Sequence, residues 1–273
     1  LIYKTPVNQL TYLVLQEFKN IVDTARIGRQ HPGQMIFIGD ILADRGENDL
    51  FTVMVFAKIH GVIPFKILLS NHDVYTLFYL EDRTKVDELQ VVAGRHSKRS
   101  FLNFLKLARL IPLVVPEFKS LISRYYIPHL TLFAYEMRNQ DNYALYSHAV
   151  FNLKHLISFL EPGKSFAKDF DSVKRFLTFI DSINVKMFKW LDARCLHLKD
   201  PLISKIIWER EYDESTFAFL RDLGIINVHG HVAIPIIEKD RISLDTGLGR
   251  SMHLKKSGES VSYTHLRAHE TLR

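Results

Sequence analysis

The segment Phe37-Ile38-Gly39-Asp40-Ile41-Leu42-Ala43-Asp44-Arg45-Gly46 decides the fold that we expect for this chain. Its apolar beginning breaks at a glycine into two carboxylates, an arginine and a second glycine. This pattern predicts a buried strand with charged residues at its carboxyl end, which is where α/β proteins bind ligands. Because Asp40 and Asp44 would repel each other at close range, we expect a cation or a proton to hold them together.

Three later apolar segments end in the same way. The polar residues that follow them are Ser70-Asn71-His72-Asp73 in the first segment, His148 in the second, and His229 and His231 in the third. Amide oxygens, imidazoles and carboxylates all serve as metal ligands or as acid–base groups. We therefore expect four strand ends to converge on one polar cluster.

Together these motifs resemble the calcineurin-like metallophosphoesterases, and within them the bacterial phosphoprotein-phosphatase branch. Gly39 to Gly46 is similar to Gly-Asp-x-x-Asp-Arg-Gly with one extra residue between the aspartates, and Ser70 to Asp73 is similar to Gly-Asn-His-Asp/Glu with serine first. The segment from Ala43 to Asp49 further resembles the Wip-type effector phosphatases of Legionella. The later blocks are matched by Ser147-His148-Ala149, Trp208-Glu209-Arg210-Glu211, Gly230-His231 and Leu244-Asp245-Thr246-Gly247.

The resemblance implies an α/β fold, the calcineurin-like metallophosphoesterase sandwich, in which helices flank two central β-sheets. Residues 1–256 would form this domain. A helical insertion at about residues 75–130 would either contact the rim of the site or serve only as packing. The family's opening Gly-Asp-x-His-Gly block is absent from residues 1–9, so we expect the N-terminal strand to be missing. Residues 257–273 have no core periodicity and resemble translated adapter sequence, so we exclude them from the fold.

Hydrophobic periodicity predicts the remaining elements. A hairpin is expected from residues 232–237 and 241–244, with its turn at residues 238–240. We assign Phe176, Phe179, Met187, Phe188 and Trp190 to the core rather than to a ligand site. The predicted helices are residues 10–25, 48–60, 101–110, 113–126 with an interruption at Pro116, 150–160, and one or two helices within 166–198.

The resemblance also assigns metal ligands. Asp40 would bridge two divalent ions, and Asn71, His148 and His231 would complete the second site. Manganese is the first expectation, and iron or zinc would suit the same ligands. The alternatives are a structural aspartate at position 40 and, for His148 alone, a buried core histidine. His229 is either an outer-shell residue or a plain strand residue.

Catalytic roles follow from the same resemblance. His72 would protonate the leaving group, and Asp44 would orient the imidazole of His72. The alternative for Asp44 is an ion pair with Arg45. Arg45 and Arg210 would bind phosphate oxygens, although Arg210 could instead lie on a solvated helix face. Asp73 is expected to hold its loop, and Cys195 to pack in the interior.

We expect a metal-dependent phosphoprotein phosphatase that hydrolyses serine/threonine or tyrosine phosphate by direct attack of a metal-bridging hydroxide. The alternatives are a dinucleoside polyphosphate hydrolase and a catalytically inert effector scaffold that binds a partner through the insertion. The absent opening block would supply the first metal's aspartate and histidine. This segment by itself is therefore expected to bind the second metal weakly and to be slow or inactive.

Composition limits the other classes of function. The 273 residues are 47% hydrophobic, with a net charge of +6 and a single cysteine. No basic stripe suggests nucleic acid as a partner, and no apolar run is long enough to predict a membrane span. We expect a cytoplasmic protein, or one translocated into a host cell if it is an effector, with a phosphorylated protein or peptide as its partner. The sequence leaves the oligomeric state open.

Overall fold

The structure is a computed structural model with a mixed α/β fold that contains two larger sheets and several helices. It divides into two compact units, Leu1–Leu132 with Lys186–Lys199 and Phe133–Val185 with Asp200–Arg273. The predicted helices at residues 10–25 and 101–110 lie outside the described residues. The structure describes residues 34–42, 49–61, 64–74, 77, 115–139, 142–160, 170–192, 201–232, 236–238, 240–244, 252–256 and 259–263.

The first unit contains the strand–helix–strand unit that the sequence predicts. Strand β1 (Met35–Phe37) is followed by helix α1 (Asp49–Ile59) and strand β2 (Phe65–Leu68), and the two strands pair in parallel. Strand β3 (Leu130–Thr131) pairs in parallel with the other edge of β2. Parallel strands present their carboxyl ends at one edge of a sheet, so the residues that follow β1 and β2 are neighbours.

Aromatic side chains form the core of this unit. Phe56 of α1 is 1% exposed, and its ring centroid lies 5.0 Å from that of Phe37 and 5.3 Å from that of Phe65. The ring of Tyr126, which is also buried, lies 5.5 Å from Phe56. Edge-to-face and stacked pairs of this kind add to the free energy of burial. The cluster therefore fixes α1 against β1 and β2.

The predicted interruption of a helix at Pro116 is wrong. Helix α2 (Val115–Tyr125) begins one residue before Pro116, so the proline occupies the first turn. The missing N–H of a proline costs nothing there, because the first N–H groups of a helix have no intrahelical acceptor. A 3₁₀ turn (Ile127–His129) then connects α2 to β3.

The second unit contains a five-stranded sheet. Strand β4 (Phe133–Asn139) pairs antiparallel with β5 (Asn142–Ser147). The helices α3 (Leu153–Leu160), α4 (Val173–Asp192), α5 (Pro201–Trp208) and α6 (Glu214–Asp222) follow along the chain, with the last seven residues of α4 assigned to the first unit. Strands β6 (Ile225–His229), β7 (Ile236–Ile237) and β8 (Arg241–Ser243) complete the sheet in the order β4-β5-β6-β8-β7.

Several predictions about this unit are confirmed. Strand β5 ends one residue before His148, β6 ends at His229, and β7 and β8 form the expected antiparallel hairpin. Helix α4 is one helix of 20 residues, on which Phe176, Phe179 and Met187 are buried as predicted for core residues. The side chains of Phe188 and Trp190 lie outside the described part of the chain.

Other features of the unit were not anticipated. Strand β4 and helices α5 and α6 had no prediction. Because α5 ends at Trp208, Arg210 lies in the connection to α6, and its alternative placement on a helix face is wrong. Strands β9 (Met252–Lys256) and β10 (Glu259–Tyr263) form an antiparallel pair, so part of the segment excluded from the fold is a strand. Among the described residues, no helix has the length and apolar character needed to cross a membrane.

We predict that Phe56→Ala lowers the free energy of unfolding by about 3–5 kcal/mol, because a large buried ring is removed from contact with other aromatic side chains. Urea denaturation would measure the change. Lys58→Ala, at an exposed position of the same helix, serves as the control and should change stability by less than about 0.5 kcal/mol. Similar losses in both variants would contradict the assignment of Phe56 to the core.

Candidate active site

The turn that follows β1 has an unusual backbone. Gly39 and Asp40 have φ values of 84° and 53°, in the left-handed region. Among the described residues, Asp40 and His231 are the two non-glycine residues with positive φ. Such residues are uncommon, and they often occur at functional sites, where the surrounding structure maintains the strain. The half-buried carboxylate of Asp40 is therefore held at the carboxyl end of β1 by a specific backbone geometry.

A capping box shapes the turn that follows β2. The N–H of Asp73 donates to Ser70 Oγ over 3.2 Å, and the N–H of Ser70 donates to Asp73 Oδ2 over 3.1 Å. Ser70 Oγ also donates to Asp73 Oδ2 over 2.7 Å. Reciprocal bonds of this kind satisfy free N–H groups at the start of a helix. Serine at the position of the motif's first glycine thus has a structural reason, and Asn71 and His72 lie on a rigid turn.

Asp73 is anchored a second time from outside its turn. The hydroxyl of Tyr126 donates to Asp73 Oδ1 over 2.6 Å, and both side chains are buried. Burial raises the pKa of Asp73 above its usual value, an effect that the hydrogen bonds from Tyr126 and Ser70 oppose and that the charge of Asp40 reinforces. The contacts of Asp73 support its expected role in holding the loop.

The second unit brings two candidate metal ligands together. Strands β5 and β6 pair in parallel with Ser147 opposite His229, so His148 and His231 both follow the same sheet edge. Their ring centroids are 4.9 Å apart and the rings are tilted by 58°. The N–H of Gly230 donates to the carbonyl of His148 over 2.9 Å, which extends the strand pairing into the site.

His231 occupies the centre of a tight turn. Its φ is 60°, and the N–H of Val232 donates to the carbonyl of Gly230 over 2.8 Å, which closes a three-residue turn. Turns of this type with positive φ are strained and rare. This turn changes the chain direction sharply after β6, and the imidazole of His231 lies beside that of His148.

Asn227 fixes the end of β5 from the neighbouring strand. Its Nδ2 donates to the carbonyl of Leu145 over 3.1 Å and to Ser147 Oγ over 3.0 Å. Ser147 Oγ in turn donates to the carbonyl of Ala149 over 2.7 Å. All of these polar groups are buried, so each would cost free energy without its partner. The network holds the backbone on both sides of His148.

Two residues of the Trp-x-Arg element surround His231. The ring of Trp208 meets the imidazole edge to face with 5.4 Å between centroids, and Arg210 Nε donates to His231 Nε2 over 3.2 Å. An Nε2 that accepts a hydrogen bond carries its lone pair, and the guanidinium of Arg210 engages that lone pair here, so a metal bound at Nε2 would replace this contact. A candidate phosphate-binding guanidinium therefore lies next to a candidate metal-binding imidazole.

His229 has protein partners on both ring nitrogens. Its Nδ1 lies 2.8 Å from the carbonyl of Gly230, and its Nε2 lies 3.1 Å from the hydroxyl of Tyr212. The ring is fully buried. Donation from Nδ1 and acceptance at Nε2 satisfy a neutral imidazole. Both expectations for His229, an outer-shell residue and a plain strand residue, stay predictions. The partner Tyr212 was not predicted, because nothing in the sequence pairs it with this strand.

Comparison with known proteins identifies the family. The chain matches the family described as WipA-like, phosphatase domain, over residues 34–250. It belongs to the WipA-like phosphatase-domain family. This membership confirms the resemblance to Wip-type phosphatases and indicates a hydrolase that acts on a phosphorylated substrate. No curated protein matches the chain.

The donor groups at these strand ends fit a divalent metal ion. In the second unit, the imidazoles of His148 and His231 lie side by side, with ring centroids 4.9 Å apart. In the first unit, Asp40 offers carboxylate oxygens and Asn71, which is 1% exposed, offers an amide oxygen. Each unit thus offers a donor type that divalent metals bind in proteins, imidazole nitrogen in the second and oxygen in the first.

The structure describes most of the predicted site residues. Asp40, Asn71 and His72 follow the two strands of the first unit, whereas His148, Arg210 and His231 cluster in the second. Asp44 and Arg45 lie outside the described residues, and their roles stay predictions.

We predict that Tyr126→Phe lowers the free energy of unfolding by about 1–3 kcal/mol, because a buried carboxylate loses one of its donors. Urea denaturation would measure the change. Tyr125→Phe removes the same hydroxyl from the adjacent half-buried residue and provides the control, for which little change is expected. Equal effects of the two substitutions would contradict the proposed anchoring of Asp73.

Proposed function

We propose that this chain is a metal-dependent phosphoprotein phosphatase that hydrolyses phosphomonoesters directly, without a covalent enzyme intermediate. The observation that carries the proposal is the hydrogen bond of 3.2 Å from Arg210 Nε to His231 Nε2, with His148 beside the same imidazole. A guanidinium suited to phosphate oxygens thus adjoins imidazoles suited to a metal. Membership in a phosphatase family supports this interpretation.

Asp40, Asn71, His148 and His231 are the proposed metal ligands, with Asp40 shared between two divalent ions and manganese as the first candidate. Asp40, His148 and His231 each offer one ligand atom. Bound divalent ions would lower the pKa of water and so supply a hydroxide nucleophile near neutral pH. The calcineurin-like sandwich of two sheets is part of the same proposal.

The chain's own side chains would perform the remaining steps. Arg210, together with Arg45, would neutralise the charge on the phosphoryl oxygens as the bond to the leaving group breaks. His72 is half-buried and lies on the capped turn after β2, from which it would donate a proton to the leaving oxygen. Asp44 would orient the imidazole of His72.

The full-length natural protein should release phosphate from phosphoserine, phosphothreonine or phosphotyrosine peptides in the presence of manganese and stop after chelation. His231→Ala should lower kcat/KM by at least about 100-fold, since loss of outer-shell partners alone costs about 10- to 100-fold. His60→Ala, at an exposed histidine, is the control and should retain activity. A malachite green assay of released phosphate would measure both variants.

Three results of this panel would contradict the proposal. Activity that persists after chelation would exclude metal dependence. Hydrolysis of diadenosine tetraphosphate in preference to every peptide would favour a dinucleoside polyphosphate hydrolase. Silence on all substrates, with manganese binding shown by calorimetry, would favour an inert scaffold that binds a partner.

We predict that His72→Ala reduces the turnover of an alkyl phosphate far more than that of p-nitrophenyl phosphate. The alkoxide leaving group needs a proton, and general acid catalysis contributes about 10²- to 10⁴-fold, whereas nitrophenolate leaves without protonation. Comparison of kcat for the two substrates in both proteins would measure the difference. Equal losses would show that His72 does not act as the general acid.

A further inference from the structure

The three residues of the Trp-x-Arg element point in alternating directions. Trp208 packs against the ring of His231, and Arg210 donates a hydrogen bond to the same ring. Glu209 lies between them and directs its carboxylate toward the start of α3 instead. This carboxylate is only 10% exposed. A nearly buried charge costs free energy unless other groups compensate it, so the partners of Glu209 are informative.

One oxygen of Glu209 holds the backbone of its own loop. The N–H groups of Arg210 and Glu211 both donate to Glu209 Oε1 over 3.0 Å. Hydrogen bonds to an ionised acceptor are stronger than neutral ones. The peptide groups on either side of the Arg210 Cα are therefore restrained, and with them the direction in which the Arg210 side chain leaves the loop.

The other oxygen ties this loop to α3. Glu209 Oε2 lies 2.6 Å from His155 Nδ1, a close contact without the alignment of a hydrogen bond, and Asn152 Nδ2 donates to Oε2 over 3.5 Å. Asn152 also caps α3, since its Oδ1 accepts the N–H of His155 over 3.3 Å. The N-terminus of a helix favours a nearby negative charge.

The backbone of Glu209 makes one further connection. Its carbonyl accepts the N–H of Val150 over 3.2 Å. Val150 follows His148 by two positions in the chain. Glu209 therefore joins the loop that carries Arg210 to the segment that carries one of the two paired imidazoles.

We infer that Glu209 is a positioning residue that holds Arg210 beside His231 for binding of a phosphoryl group. The inference rests on the proposed phosphate-binding role of Arg210. The side chain of Arg210 is exposed and has many rotamers, so a fixed backbone reduces the conformational freedom that phosphate binding must remove. Displacement of a positioning group by about 1 Å can cost about 100-fold in rate.

The first test observes the geometry without any substrate. In protein labelled with ¹⁵N-histidine, the imidazole signals of His231 report whether Arg210 donates to Nε2. Arg210→Ala should shift these signals, and Glu209→Ala should reproduce most of that shift. Glu209→Gln keeps an acceptor oxygen for the two N–H groups and should restore the signals of the unaltered protein. Glu211→Ala, at an exposed carboxylate of the same loop, should leave the signals unchanged.

The same spectra give clear contrary outcomes. Signals that move in Arg210→Ala but stay in place in Glu209→Ala would overturn the inference. Signals that do not respond to Arg210→Ala would remove the contact on which it depends. If Glu209→Ala does not fold, His155→Leu removes the 2.6 Å contact with Oε2, leaves Oε1 in place, and should give a smaller shift in the same direction.

The second test measures phosphate recognition. Glu209→Ala should raise KM and the inhibition constant of inorganic phosphate by about 10-fold or more. In the double variant with Arg210→Ala, both constants should lie within about two-fold of those of Arg210→Ala alone. Additive losses would indicate a purely structural role and overturn the inference. A protein that hydrolyses no phosphomonoester would overturn the proposed function, whereas the His231 signals would still decide the position of Arg210.

Discussion

Parallel pairing between neighbouring strands is the constraint on which the position of the candidate residues depends in each unit. In each unit a parallel pair, β1 with β2 and β5 with β6, delivers polar residues to one edge of a sheet. The backbone hydrogen bonds of the pair fix the register, and the register decides which residues meet beyond the last pair. The contact between His148 and His231 follows from the pairing of Ser147 with His229.

Strand pairing brings the right residues to the edge, but local strain orients two of them. Asp40 and His231 both adopt left-handed backbone conformations immediately after a glycine. An L-residue avoids this region unless the surrounding structure requires it. The free energy that the strain costs is offset by the strand pairs and packed side chains on either side, and the result is a donor group held at the tip of a strand.

The buried carboxylate of Asp73 and the largely buried carboxylate of Glu209 both hold backbone near the candidate site residues. Asp73 accepts hydrogen bonds from Ser70 and Tyr126 and stabilises the turn that carries His72. Glu209 accepts two consecutive N–H groups and stabilises the loop that carries Arg210. Each lies next to a residue of the candidate chemistry, so its substitution would alter function without removing a reacting group. The role of an acidic residue beside a motif therefore depends on which groups donate hydrogen bonds to its carboxylate.

The sequence by itself determined the strands that lead to candidate ligands, the helix between β1 and β2, the hairpin of β7 and β8 and the phosphatase family. These features depend on local periodicity and on short motifs. Only the tertiary structure decided the others. Strand β4 begins with adjacent buried residues and ends in exposed ones, so its pattern does not alternate. The anchoring of Glu209 and the pairing of Tyr212 with His229 join residues that are distant in the chain, and such contacts depend on strand register and helix packing, which local sequence does not specify.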